Sequence, residues 1–190
     1  TMLEFPFYEP HTNITTGGFS TMGFSLPAAL GAKLAVPDKQ VVAVVGDGDF
    51  LMTCQELATA VQYQIPVVVV VLNNMGWHSI RDLQIAAYGQ ERTFAVDFVG
   101  RDGKLSSPDF AALGKAFGVR SERIQRPDEV QPAVKRALAS GGPALVEVLV
   151  NREYPHSGSL VTGWWDVPVP AYLEERRRKY LSERAEEQLG

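Results

Sequence analysis

Residues 41–45, 67–72 and 144–150 are short apolar runs rich in Val and Leu, with no polar alternation. A strand with one wet face alternates, so these runs predict strands covered on both faces, the usual condition of a parallel sheet. Helical patterns separate them at residues 24–36, 51–63, 108–117 and 128–139, and residues 119–124 form a weaker strand candidate. Pro27 falls in the first turn of the first helix, and Pro37-Asp38 ends it. Ser107-Pro108-Asp109 reads as an N-cap followed by proline at N1, with Gly118 as the stop. Strand and helix alternating at this spacing predict βαβ units: an α/β, three-layer αβα fold around a mainly parallel sheet.

With 190 residues, 45% hydrophobic and 21% charged, the chain has enough apolar side chains for one domain plus a tail, which excludes wholesale disorder. Its longest apolar run, residues 65–72, is too short to cross a bilayer. A net charge of −4 argues against nucleic acid or an anionic membrane as partner. The single cysteine, Cys54, has no partner for an internal disulfide, and its helical setting reads as a small buried apolar residue. Residues 1–10 have neither a basic start nor a continuous apolar stretch, so the expected location is cytoplasmic.

Residues 84–107 are polar, broken by Gly89, Gly100 and Gly103, and read as a long loop. Periodicity stops after residue 150, where Trp164, Trp165 and three prolines precede a charged helix at 173–189. That helix carries five acidic and five basic residues, the pattern of a solvated surface. The expected division is a domain at 1–152 and a tail at 153–190, whose tryptophans read either as a lid or as static packing.

Ligands of open parallel sheets bind at the carboxyl ends of the strands. Gly46-Asp47-Gly48-Asp49-Phe50 follows the first run, and Asn73-Asn74-Met75-Gly76-Trp77 follows the second. Glycines let the backbone approach an anion, and a helix N-terminus beyond them offers unpaired N–H groups. Asp47 would repel a lone anion, which implies a bridging hard cation such as Mg²⁺ with Asn74 as a second oxygen donor. Taken singly, the first cluster reads equally as a turn and the second as a helix cap. There is no Gly-Lys-Ser/Thr loop, and Gly46-Asp47-Gly48 lacks the third glycine of a dinucleotide fingerprint. A generic nucleotide-binding domain remains a rival.

Taken together, Gly46-Asp47-Gly48, 24 intervening residues and Asn73-Asn74 resemble the cofactor motif of thiamine-diphosphate-dependent enzymes. One helix and one strand between the clusters return the chain to the same sheet edge. Residues 17–29, which include Gly17-Gly18-Phe19-Ser20-Thr21-Met22-Gly23, are similar to the acetolactate-synthase-like branch, as are residues 55–60 and 163–173. The likeness spans nearly the whole chain.

The resemblance implies specific roles. Asp47 and Asn74 hold Mg²⁺ through side-chain oxygens and Gly76 through its carbonyl. Gly46, Gly48, Asp49 and the start of the following helix cradle the diphosphate. Met22 is the wedge beneath the bend of thiamine diphosphate, and the Ser20 carbonyl, where relatives often carry glycine, accepts a hydrogen bond from the aminopyrimidine. Asp49 stands where many relatives have a small neutral residue; a second carboxylate near diphosphate is unfavourable, so its side chain is expected to turn away or to act through a metal-bound water. Trp77 belongs to the cofactor site. His78 and Gln84 are the candidate catalytic side chains on the next helix, His78 because its ordinary pKa suits proton transfer, with helix packing as the alternative. His11 and His156 read as structural or exposed.

In this family a glutamate on another domain, usually of a neighbouring subunit, activates the aminopyrimidine. The chain is therefore expected to need a partner bearing the pyrimidine domain, to self-associate, and to act on a small carbonyl or 2-oxo acid substrate. Sulfopyruvate decarboxylase is a family precedent for such splitting; a piece of a longer enzyme is the other reading. The expected reaction class is 2-oxo acid decarboxylation or acyloin carboligation. A non-catalytic cofactor-domain relic, acting as a scaffold, is the rival, and the retained Asp47, Asn74 and Met22 speak against it.

Overall fold

A computed structural model of the chain describes residues 6–17, 19–152 and 168–187. Two compact units emerge, Thr1–Asn73 with Pro108–Val150, and Asn74–Ser107 with Asn151–Gly190. The first holds the sheet: β1 (Val42–Gly46), β2 (Val68–Asn73), β3 (Arg120–Ile124) and β4 (Ala144–Leu149), all parallel and ordered β1-β2-β4-β3. Helices cover both faces, as the alternation of elements predicts. On one face, Leu26 and Leu30 of α1 (Ser25–Ala35), Phe50 of α2 (Asp47–Thr53), Leu57 of α3 (Glu56–Gln62) and Phe110 of α5 (Phe110–Ala116) pack on Val45, Val69, Val71 and Leu145. On the other, Ala133 and Ala137 of α6 (Pro127–Leu138) pack on Val68, Val70, Val146 and Ile124. The step back from β3 to β4 uses α6 on the opposite face, as right-handed crossovers require.

Several elements differ from the sequence-based expectation. β1 alternates, with Val42 and Val44 exposed, because α6 packs over β2, β3 and β4 only. The predicted helix at 51–63 begins earlier, at Asp47, and is interrupted at Cys54-Gln55. There Leu57 and Ala58 donate to the carbonyls of Cys54 and Gln55, a tighter i→i+3 turn. Cys54 is half-buried at this break. Asp109, not Ser107, caps α5, its side chain accepting from the Ala112 N–H at 2.7 Å. Gly118 does end α5, at φ +82°.

The sheet's inner face carries one charge. Glu147 of β4 is fully buried and accepts four hydrogen bonds: from Asn73 Nδ2 (2.7 Å), the Ala111 N–H (3.0 Å), and Arg123 Nε (2.9 Å) and Nη2 (3.0 Å). The strand register sets Arg123 directly opposite Glu147, so their side chains share a face. The hydrogen bonds that Arg123 donates to Glu147 raise the Arg123 pKa above its ordinary value. Both carboxylate oxygens are thereby satisfied, which makes the buried charge tolerable.

In the second unit, α4 (His78–Tyr88) runs well into the segment expected to be a loop, followed by a single 3₁₀ turn, Gln90–Arg92. Residues 93–107 are held by isolated bridges, Gly76 with Asp97 and Val99 with Leu105. α7 (Glu174–Glu187) sends Arg176 to the carbonyls of Ile85 and Ala86 in the last turn of α4, where a cation complements the helix dipole. Trp164, Trp165 and His156 lie outside the described residues. Among the described residues, no helix is long and apolar enough to cross a membrane. Replacing Glu147 by Ala leaves Arg123 and Asn73 without their partner and is expected to cost about 3 kcal/mol; urea denaturation checks it, and an unchanged midpoint would remove Glu147 from its structural role.

Candidate functional site

The parallel register Gly46↔Leu72 brings the ends of β1 and β2 to one sheet edge. Gly46, extended at ψ 158°, is the N-cap of α2, so Asp47, Gly48 and Asp49 form that helix's first turn. Asp47 is 2% exposed, and its Oδ1 accepts from the Gly48 N–H at 2.8 Å. One strand across, Asn73 closes β2 with its amide on Glu147, and its carbonyl accepts from the Val150 N–H.

The segment before α1 lies on α2. Ser20 has φ +48° and donates its N–H to the Gly17 carbonyl. Glycine adopts that left-handed backbone freely, whereas a residue with a Cβ is strained by it. Met22 is 37% exposed. Gly23 has φ +85°, and a Cβ there would lie 3.1 Å from both Met52 Cβ and Thr53 Cγ2. The Asp49 carboxylate faces this segment: Oδ1 accepts from the Gly23 N–H, and Oδ2 from the Ser25 hydroxyl at 2.9 Å.

In the second unit, Asn74, Met75 and Gly76 form a loop clamped from two sides. Arg152 Nη1 donates to the carbonyls of Asn74 (2.7 Å) and Met75 (3.1 Å), while Nη2 pairs with Asp97 at 2.5 Å. Trp77 and Phe98 donate their N–H groups to Val96 and Met75, a short antiparallel pairing. A Cβ on Gly76 would overlap the Val96 carbonyl, so only glycine fits. Met75 takes φ +61°. Among the described residues, the Asn74 Oδ1 is buried and accepts no hydrogen bond. Trp77 stacks edge-on against Phe98, ring centres 4.4 Å apart. His78 is 4% exposed, with Nε2 3.9 Å from Asp97 Oδ1. Gln84 holds both backbone groups of Phe94, accepting from its N–H (2.7 Å) and donating to its carbonyl (3.2 Å). His11 is exposed and apart from these groups.

Asn73, Glu147, Arg152 and Asp97 are absent from the sequence-derived set. Glu147 carried a readable signal, a carboxylate inside an apolar strand run. The partners of Arg152 and Asp97 are far away in sequence, and no local pattern announces them.

The family model for "Thiamine pyrophosphate enzyme, C-terminal TPP binding domain" matches residues 1–148, and the chain belongs to that family. It is 37% identical over 147 residues to a probable acetolactate synthase large subunit of Methanococcus aeolicus, covering 77% of this chain and 23% of that protein. It is 40% identical over 136 residues to the acetolactate synthase isozyme 3 large subunit of Escherichia coli, covering 72% and 22%. Among solved structures, a thiamine diphosphate-dependent 4-hydroxybenzoylformate decarboxylase of Rhodococcus jostii RHA1 superposes with TM-score 0.62 at 36% identity, covering 70% of this chain and 24% of that one. The chain thus spans under a quarter of these relatives' length.

The left-handed Ser20 generates a stability test. Ser20→Gly is expected to stabilise the fold by up to about 1 kcal/mol, relief of backbone strain exceeding the entropy that glycine adds to the unfolded chain. A lowered thermal midpoint would refute the strain.

Proposed function

We propose that this chain is the diphosphate-binding part of a thiamine-diphosphate- and Mg²⁺-dependent enzyme that cleaves or forms a carbon–carbon bond next to a carbonyl. The observation that carries the reading is the buried Asn74 Oδ1 without a hydrogen-bond donor. A buried acceptor left unpaired is costly, and a hard cation is the partner that would satisfy it. The donor set fits Mg²⁺. Among the described residues no three His, Cys, Asp or Glu side chains cluster. One carboxylate, one amide oxygen and one carbonyl leave positions for water and phosphate oxygens, as Mg²⁺ prefers.

When bound, thiamine diphosphate supplies the electron sink for chemistry at the carbon next to the carbonyl. Asp47 and Asn74 hold the metal by side-chain oxygens and Gly76 by its carbonyl. Gly46 lets the chain approach closely, and the N–H groups of Gly48 and Asp49 in the first turn of α2 receive the diphosphate. Met22 would support the cofactor from below, and the Ser20 carbonyl would accept from its aminopyrimidine. Trp77 walls the site beside the metal loop. His78 is the proton-transfer candidate; Gln84, with its amide held by Phe94, acts by keeping residues 93–94 on α4. A partner subunit supplies the pyrimidine domain and the activating glutamate, and the assembly is at least a dimer of such pairs in the cytoplasm. The substrate is a small carbonyl compound or 2-oxo acid.

Asp47→Ala is expected to abolish Mg²⁺-dependent binding of thiamine diphosphate in isothermal titration calorimetry, and undiminished binding would refute the metal site. In the assembled enzyme, His78→Ala should lower turnover at least tenfold more than it weakens cofactor binding; equal turnover would end the proton-transfer role. Native mass spectrometry of the chain from its source cells tests the partner. A complex with a second protein, thiamine diphosphate and Mg²⁺ is the expected species, and a chain found alone would overturn the split enzyme.

A further inference from the structure

Asp49, Met52 and Thr53 lie at i, i+3 and i+4 on one face of α2, and all three engage the turn before α1. Asp49 accepts from the Gly23 N–H and the Ser25 hydroxyl. Thr53 donates its hydroxyl to the Gly23 carbonyl at 3.0 Å. Met52 and Thr53 approach Gly23 so closely that a Cβ would sit tightly, 3.1 Å from each, at a φ that already favours glycine. Both polar groups of Gly23 are therefore tied to the helix whose first turn faces the sheet edge. The Gly23 N–H belongs to the peptide plane it shares with Met22, so the bond to Asp49 fixes the direction in which Met22 leaves the backbone.

We propose that Asp49 is a positioning residue, a latch that sets the Met22 turn against the first turn of α2 so that the wedge and the diphosphate cradle keep one fixed geometry. The inference rests on the cofactor reading above and extends it to a residue whose charge that reading leaves unexplained. A carboxylate beside a diphosphate is repulsive. Asp49 is held away from that task because one of its oxygens accepts a hydrogen bond from the Gly23 N–H and the other from the Ser25 hydroxyl at the start of α1. Its charge also lies in the first turn of α2 and beside the start of α1, where two helix dipoles favour it. The latch is thus the structural return for keeping an acid at this position.

Two ligands separate the latch from a direct role in anion binding. Mg²⁺ with inorganic pyrophosphate senses only the diphosphate cradle, whereas Mg²⁺ with thiamine diphosphate also senses the wedge. Calorimetric titration of the full chain with each is expected to show that Asp49→Ala weakens thiamine diphosphate about tenfold or more, with pyrophosphate changed less than about threefold or bound more tightly. Asp49→Asn keeps an acceptor for Gly23 and offers its amide to the Ser25 oxygen. It should stay within about threefold of the original chain for both ligands. If Asp49→Ala does not fold by circular dichroism, Ser25→Ala carries the test, with a loss confined to thiamine diphosphate. Equal changes for both ligands, or none for either, would overturn the latch and leave the cofactor reading standing. An unaltered chain that binds neither ligand would overturn both.

Discussion

The Glu147 carboxylate ties more of the sheet unit together than any other polar group described in it. It sits on the inner face of β4, receives a guanidinium from β3 and an amide from β2, and takes a backbone N–H from the first turn of α5. A hydrophobic side chain there would fill space but say nothing about register. A carboxylate with four directional partners leaves only one arrangement of the three strands and the helix that satisfies it. It also ends β2 in a fixed orientation, since Asn73 is the last residue of that strand and bonds to Glu147.

The 74–76 loop shows a second use of the same device. Arg152 takes the carbonyls of Asn74 and Met75 and pairs with Asp97, while the 96–98 segment pairs with the loop's backbone. Met75 is held at positive φ and Gly76 has no space for a side chain. A loop with this many fixed groups has little freedom left, and what it leaves unsatisfied is the Asn74 oxygen. Pre-organised donors cost nothing to align when the ligand arrives, which is how such a site gains affinity from few contacts.

Departures from the family pattern also have structural meanings. Ser20 carries a left-handed backbone that glycine would take without strain. Asp49 places a charge close to the expected diphosphate, yet its oxygens are engaged by Gly23 and Ser25. For Asp49, residue type alone suggested a conflict, which its hydrogen bonds relocate to the turn before α1; for Ser20 it suggested none, and the strain is visible only in the backbone.

Much was legible in the sequence. The apolar runs and the helix signals determined a parallel αβ sheet, because hydrophobic periodicity and capping are local properties that a linear pattern records. The spacing of Gly46-Asp47-Gly48 and Asn73-Asn74 indicated two polar loops at one sheet edge, and the resemblance of these motifs, with residues 17–29, pointed to the family. The exposed face of β1, the early start of α2 at Asp47 and the cap at Asp109 were not legible, since each depends on which helix packs where and not on local preference. The same is true of Asn73 with Glu147, 74 residues apart, of Arg152 with Asn74, 78 apart, and of Asp49 with Gly23, 26 apart. Directional bonds between distant residues exist only once the chain has folded. The sequence therefore determined which polar groups follow the first two strands, and the tertiary structure alone decided which side chains hold those groups in place.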